Sequence, residues 1–393
     1  MRIAINGCGV AGPTLAWWLR HYGHEPVLFE HAPALRTGGY VIDFWGTGYQ
    51  IAEKMALIPD LMQDAYIMQK LQTVGRRGQT TSSLDIGIFR NLVDGRYLSI
   101  ARSDLARHVF AACHGVEARF GVSVVGLEDS GDAVSAKLSD GRQEQFDLLI
   151  GADGLHSRVR SLVFGPQADF EVPLGYQVAA FTLTGYRPRQ DLAYVSHTEP
   201  SRHIARVSLR DDKTLFLFIC ATDLIGQSPQ DDAGRKAMLR RVFGEMGWEA
   251  RAILARLDEV EELYYDRVSQ IRQPVWCKGR VALVGDAAAC PSLLAGEGTG
   301  LAMTEAYVLA GELARAKGDH VAAFAAYQTM LQPYLARKQA AALKFAGFFA
   351  PKTQAMVVVR DLLTNLAAVP FLAKLILGPS FRNDLVLPQY PKP

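Results

Sequence analysis

Two sets of residues in this chain are typed and spaced for chemistry, and they stand almost a full chain length apart. Near the start, Gly7-Cys8-Gly9-Val10-Ala11-Gly12 sets glycines at the spacing Gly-x-Gly-x-x-Gly, and the acid Glu30 follows 18 residues after the third glycine. Glycines so placed do binding chemistry. Gly7 permits a tight turn, Gly9 lets the backbone approach a pyrophosphate, and Gly12 lets a helix pack close to its strand. Val10 and Ala11 stand where a helix begins and offers phosphate its unpaired N–H groups and the positive end of its dipole. A carboxylate about 20 residues on is the expected partner of a ribose hydroxyl, and His31 lies beside it. The second set is Gly285-Asp286-Ala287-Ala288-Ala289-Cys290-Pro291, followed by Gly296-Glu297-Gly298-Thr299-Gly300. Asp286 can hydrogen-bond a polyol, and a helix opening here can face a ring that gains negative charge on reduction. No Ser-His-Asp or Cys-His arrangement and no His/Glu metal spacing is present.

The elements that must position these residues fit the same reading. Residues 2–6 read as a buried apolar strand, 13–20 as a helix, and 26–30 as a second strand ending on Glu30. This unit binds a dinucleotide and by itself serves NAD and FAD equally. Residues 279–284 form another apolar strand ending at Gly285-Asp286, and 301–310 a helix. An acid for a polyol and a helix start for a reducible ring decide for FAD. A further strand, 147–150, leads into Gly151-Ala152-Asp153-Gly154-Leu155-His156-Ser157-Arg158-Val159-Arg160.

With these motifs in this order, the whole chain resembles the class A flavoprotein aromatic hydroxylases, the single-component FAD monooxygenases of the para-hydroxybenzoate hydroxylase-like family. The resemblance rests on Gly7-x-Gly9-x-x-Gly12, on Gly151-Ala152-Asp153-Gly154-x-x-Ser157-x-x-Arg160 and on Gly285-Asp286-Ala287-x-x-x-Pro291. Within the family the chain is similar to the tetracycline-inactivating branch, through Gly38-Gly39-Tyr40-Val41-Ile42-Asp43, Cys290-Pro291-Ser292 and a long helical C-terminus. The resemblance implies that Glu30 holds the adenosine ribose, and that Arg36, Asp43 and Arg102 contact FAD or its phosphates. It implies that Asp286 binds the ribityl and pyrophosphate region, within a flavin loop that includes Gly285, Pro291, Gly296, Gly298 and Thr299. Asp153 and Arg160 would support the pocket and nicotinamide use. Outside the motif context, Arg36 and Arg102 read as surface or helix-end charge. Two positions depart from the family pattern: Glu297 stands where Gln is usual, and Gly300 where Asn is usual.

The implied activity is an NADPH- or NADH-dependent hydroxylation. The reductant visits transiently, O2 adds at flavin carbon 4a, and the hydroperoxide passes one oxygen atom to an aromatic or polycyclic phenolic substrate. A tetracycline-like antibiotic is among the candidates. No second Gly-x-Gly-x-x-Gly marks a separate nicotinamide domain. Glu297 and Gly300 keep open an alternative, a flavin oxidase or dehydrogenase on the same fold without oxygen insertion.

Composition agrees with a globular enzyme. The 393 residues are 49% hydrophobic and 21% charged with a net charge of +2, and this length suits two interlocked domains. The charge balance makes no case for nucleic acid. Five scattered cysteines without Cys-x-x-Cys spacing read as reduced thiols, and the expected location is cytoplasmic. The glycine loop and Pro13 explain residues 1–20 better than a secretion signal does. No apolar stretch reaches the roughly 18–20 residues of a membrane span; residues 362–378 come nearest, interrupted by Pro370 and Lys374. No protein partner is evident.

The expected architecture is α/β. A Rossmann-like FAD-binding domain (1–75, 98–170 and 275–320) interlocks with an antiparallel-sheet substrate domain (76–97 and 171–274), and 321–393 form a C-terminal helical region. Strands are expected at 177–183, 192–197, 204–209, 214–220 and 262–271, with a turn at Arg210-Asp211-Asp212-Lys213. Helices are expected at 231–245, 248–257, 321–335 and 337–349, and a last helix or pair runs to Leu377. Phe181, Phe216, Phe218, Phe345, Phe348 and Phe349 are available to keep water from the ring, though each reads first as core. His197 and His203 lie on the proposed substrate sheet and can orient or deprotonate a phenol.

Overall fold

The computed structural model describes residues 1–36, 40–376 and 385–391. Gly38, Gly39 and Leu377, which enter the sequence reading, lie outside these residues, as does the side chain of Phe345.

The first layer is a six-stranded sheet in the order Cys277–Lys278, Val281–Leu283, Leu148–Gly151, Arg2–Asn6, Glu25–Glu30, Glu117–Phe120. All its pairings are parallel except the Cys277–Lys278 hairpin. Its central strands read as continuous apolar runs because both faces are covered: Ile3, Ala4, Ile5 and Leu148, Leu149, Ile150 are fully buried. The helix Ala11–His21 follows the first glycine loop, and the helix Gly298–Arg315 packs beside it. That second helix is buried without interruption from Leu301 to Leu313, so it is apolar nearly all round, as a central helix must be. Residues 385–391 strap its far side: the Tyr307 hydroxyl donates to the Pro388 carbonyl at 2.7 Å and Tyr390 to Glu312 at 2.8 Å.

The second layer is a seven-stranded sheet in the order Tyr264–Ile271, Glu171–Thr184, Lys213–Ala221, Arg202–Ser208, Ala193–Glu199, Lys70–Val74, Thr80–Asp85. It is antiparallel apart from one pairing, Ala193–Glu199 with Lys70–Val74. The strand Lys70–Val74 therefore belongs to this sheet, which moves the sequence-derived boundary at residue 75. Only Val74 is buried in that strand, so its edge position left little apolar signal. Asp211 and Asp212 both take φ of 55°, the paired positive values that tight hairpins need. A two-stranded ribbon, Val41–Trp45 with Tyr97–Ala101, lies between the layers in sequence. A three-stranded sheet (Val124–Asp129, Val134–Leu138, Gln143–Phe146) adds strands the sequence reading did not resolve.

The C-terminal helices are His320–Phe349, Gln354–Ala367 and Pro370–Ile376. The first is a single 30-residue helix running through Pro333, not the two helices expected. An interior proline costs roughly 3 kcal/mol, but Leu331, Tyr334 and Leu335 are buried on both sides of it, and that packing carries the helix through. Among the described residues, no helix is long and apolar enough to cross a membrane.

Candidate cofactor and substrate site

The first glycine loop is a cradle with two tight walls and one open one. Gly7 takes φ of 117°, and an added Cβ there would sit 2.3 Å from the Ala152 carbonyl oxygen. At Gly12 it would sit 1.9 Å from the Gly7 oxygen. At Gly9 it would meet nothing within 4 Å, so the open side faces outward, where a pyrophosphate would pass. Val10 makes no side-chain cap to the helix Ala11–His21, and that helix has no acid in its first turn. Its first N–H groups are thus left for a ligand of negative charge. The Glu30 carboxylate accepts from the Cys8 N–H at 2.8 Å and the Ala32 N–H at 3.0 Å. It braces the loop from the rim while keeping lone pairs for a ribose hydroxyl. His31 and Arg36 are exposed near this rim.

Asp153 is half-buried. Its oxygens accept from the Asn6 amide at 3.0 Å, from the Ser157 hydroxyl and from the N–H groups of Arg158 and Val159. It ties the third motif to the first strand. Arg160 is fully buried and donates to the carbonyls of Ala287 at 3.0 Å and Leu155 at 2.7 Å, linking the third motif to the second glycine loop. Both residues support the cradle through their neighbours.

In that second loop Gly285 takes φ of 66°, and its N–H donates at 2.8 Å to the fully buried Glu305. A Cβ on Gly285 would lie 3.2 Å from both Ala11 and Ala302, so this is where the two helix starts converge. Asp286 opens the short helix Asp286–Ala289. A Cβ on Gly298 would sit 3.7 Å from its carboxylate. Arg102 lies in the same field, its guanidinium held more firmly protonated by Tyr40 and Asp286 against the opposing effect of burial. Arg102 and Asp43 expose surface although protein surrounds them on nearly every side. Asp43 lines a cleft with Trp45, Thr47, Glu297, Gly300 and Lys338. Burial pushes the Asp43 carboxyl up, opposed by hydrogen bonds from Tyr97 at 2.5 Å and Ser99 at 2.7 Å.

Several residues of this region were not singled out in the sequence. Gln270 donates to the Pro291 carbonyl at 2.9 Å, and Gln339 donates to the Cys290 carbonyl at 3.1 Å. Both amides are buried; they clamp the chain at Cys290–Pro291, where the loop towards Gly296 begins. Ser292 then takes φ of 115° and ψ of 145°, a region a non-glycine residue occupies at a cost of about 1–3 kcal/mol. The two departures from the family pattern have structural partners. Glu297 pairs with Lys338 of the long helix at 2.6 Å, and Lys338 lies 5.5 Å from the Trp45 ring centre. Burial raises the Glu297 carboxyl and Lys338 opposes that. The added acid is therefore answered by a cation. Gly300 faces Gly48, where an added Cβ would lie 2.3 Å from the Gly300 Cα; the missing amide leaves room for two helices to touch.

The seven-stranded sheet sorts its residues by parity. Phe181, Phe216 and Phe218 point away from the cleft into a core with the helices Asp232–Phe243 and Ala250–Ala255. They do not shield the ring's side. His197 shares that far side with its partner Glu199 at 3.2 Å. The alternate positions form a different cluster: Ala180, Val207 and Leu215 with Tyr40, Trp45, Tyr194, Leu217 and Tyr264. The register pairs Tyr194 with Val207 and Thr198 with His203, so His203 stands on the cleft side. Single tyrosines at matching parity on two strands, Tyr194 and Tyr264, were the signal available for this wall.

Comparison with known proteins agrees with this geometry. The family described as "FAD binding domain" matches residues 72–342. A flavin-dependent monooxygenase of Legionella longbeachae is 30% identical over 394 residues, 99% of this chain and 98% of that one. Another, from an unknown prokaryotic organism, is 33% identical over 86% of this chain and 87% of its own. The crystal structure of the tetracycline destructase Tet(51) superposes with a TM-score of 0.84 at 28% identity, covering 99% of both chains. Cradle, loop, fold and relatives together make this chain a member of the FAD-binding-domain family, a class A flavin-dependent monooxygenase with tetracycline destructases among its structural relatives.

Proposed function

We propose that this monooxygenase takes electrons from NADPH or NADH and one atom from O2 to hydroxylate an aromatic or polycyclic phenolic substrate, with tetracycline-like compounds the first class to test. The observation that carries the reading is the aromatic cluster in which Tyr194 and Tyr264 of the seven-stranded sheet meet Tyr40 and Trp45 at the ends of the ribbon strand Val41–Trp45. Bound FAD supplies the electron and oxygen chemistry that side chains cannot. The chain's residues do the rest. The cradle of Gly7, Gly9 and Gly12 and the uncapped helix start take the diphosphate, with Glu30 at the ribose and Asp286 at the ribityl hydroxyls. Arg102 supplies a fixed positive charge in the cleft. The tyrosines and Trp45 stack on a flat substrate and exclude water, which would waste the activated oxygen.

The balance is R–H + O2 + NADPH + H⁺ → R–OH + NADP⁺ + H2O. The test is oxidation of NADPH, then NADH, by the FAD-loaded protein in ¹⁸O2, with a panel of phenols and tetracyclines and product mass as readout. Stimulated oxidation with one labelled oxygen in the product is expected. A dehydrogenated product without label would replace this reading with the oxidase or dehydrogenase.

A further inference from the structure

A chain of buried polar groups runs from a C-terminal helix to the cleft, and its hydrogen-bond roles follow from counting protons. Arg360, on Gln354–Ala367, donates from Nη1 to the Thr198 hydroxyl oxygen at 2.8 Å. Its Nε and Nη2 donate to Asp361 at 3.0 and 2.7 Å. Asp361 in turn accepts from Thr81 at 2.7 Å, which seats the helix on the sheet edge. Thr198 Oγ1 lies 2.8 Å from His203 Nδ1, and His203 Nε2 lies 3.2 Å from the Tyr194 hydroxyl. Thr198, His203 and Arg360 are all buried.

A guanidinium only donates, so the Thr198 oxygen accepts from Arg360. The threonine's own proton has one partner among the described residues, His203 Nδ1, and is donated there. His203 is neutral: burial, with Arg360 and His197 adding to it, pushes it down to about 3. With Nδ1 accepting, the ring's single proton sits on Nε2 and is donated to the Tyr194 oxygen. The tyrosine proton is then left without a partner in the described protein. Tyr194 has surface on the cleft, where it feels the charge of Asp43.

Resting on the proposed function, we infer that Tyr194 is a substrate-anchoring residue whose hydroxyl is fixed as a hydrogen-bond donor into the cleft, for an acceptor oxygen carried by the aromatic substrate: a phenolate, enolate or ketone. His203, Thr198 and Arg360 are its positioning residues. His203 sets proton direction and takes no proton from the substrate. Seating of the C-terminal helix is thereby coupled to the polarity of the substrate wall.

The test uses full-length FAD-loaded protein in two arms. In the first, ¹⁵N-histidine NMR reports the protonation and tautomer of His203, assigned by the signal that moves in Thr198→Val. A neutral ring with the proton on Nε2 from pH 6 to 8 is expected, and Thr198→Val should shift that signal alone. A charged ring at pH 7, or a proton on Nδ1, overturns the inference. In the second arm, 2-naphthol and naphthalene are titrated into wild type and Tyr194→Phe, followed by flavin absorbance. Loss of the donor should weaken 2-naphthol roughly ten-fold and leave naphthalene unchanged. Equal affinity of both proteins for 2-naphthol overturns the anchoring role alone. Failure of wild type to bind either probe counts against the aromatic-substrate reading beneath it, while the NMR arm still decides the relay.

Discussion

Gly9→Ala should make the FAD-free protein slightly more stable and the FAD-loaded protein less stable, a reversal that only an open cradle predicts. An added Cβ at Gly9 meets no protein atom within 4 Å, and Gly9 is not among the glycines of positive φ. Replacing glycine where alanine fits removes freedom from the unfolded chain and stabilises by about 0.4–1 kcal/mol. The methyl group, however, stands where the backbone must approach the diphosphate. A hundred-fold loss of FAD affinity is about 2.7 kcal/mol. With FAD at about 100 times the wild-type Kd, binding adds roughly 2.7 kcal/mol to wild type but only about 0.4 kcal/mol to the variant. The variant should then be about 1–2 kcal/mol less stable than wild type. Urea unfolding with and without FAD measures both quantities, and quenching of FAD fluorescence gives Kd. Gly12→Ala is the control, because its Cβ would lie 1.9 Å from the Gly7 oxygen; it should destabilise the FAD-free protein by about 3 kcal/mol or more. If Gly9→Ala binds FAD as wild type does, the diphosphate does not cross this loop and the cradle is misread.

Asp286→Ala should leave a folded protein with FAD bound roughly 10–100-fold more weakly, the value of a charge-assisted hydrogen bond; unchanged FAD affinity in an equilibrium titration would refute its placement. Lys338→Met should destabilise by about 2 kcal/mol by leaving the Glu297 carboxylate buried and unpaired, and Glu297→Gln in the same chain should recover most of that. Because burial already raises Glu297, the loss in the single variant should shrink as pH falls and the carboxyl takes a proton; chemical denaturation across pH reads this. Gly48→Ala should destabilise more than Gly300→Ala, since the added Cβ meets its neighbour at 2.3 Å in the first case and 3.5 Å in the second, and melting temperatures will rank them. His156 is raised by its hydrogen bond to Asp266, so its contribution is present below the unfolded value of about 6.5 and lost as pH rises through the folded value. His156→Gln should flatten stability over that window.

The nucleotide-binding half was readable because its backbone requirements restrict residue type. Only glycine fits at Gly7 and Gly12, and buried parallel strands need unbroken apolar runs, so motif and element coincide. The strands of the second sheet were readable from their β-rich composition, but which parity faced the cleft was not, because both faces carry apolar residues: Phe216 and Phe218 alternate with Leu215 and Leu217. Phe181, Phe216 and Phe218, which read first as core and only second as shielding residues, are core. The Glu297–Lys338 and Tyr194–Arg360 connections join residues 41 and 166 positions apart in the numbering, and no local pattern announces a pair of that kind. Gln270 and Gln339 carry no motif; only the three-dimensional path of the Cys290–Pro291 carbonyls explains them. The break expected at 335–337 is absent from the long helix, because buried Leu331, Tyr334 and Leu335 on both sides of Pro333 carry it through.

The two-residue repeat of the seven-stranded sheet gives its faces separate histories. A replacement at Tyr194, Leu217 or Tyr264, which keep surface on this face, reshapes the cleft while the phenylalanine cluster beneath keeps its packing. A single inserted or deleted residue within a strand would instead exchange the faces, sending phenylalanines into the cleft and the polar chain of Thr198 and His203 into the core. Substrate range can therefore drift by point replacement at every second residue, whereas changes of length are confined to the turns at the sheet's ends. The sheet works as a fixed frame in which one set of positions holds the fold and the interleaved set is open to selection for a different molecule.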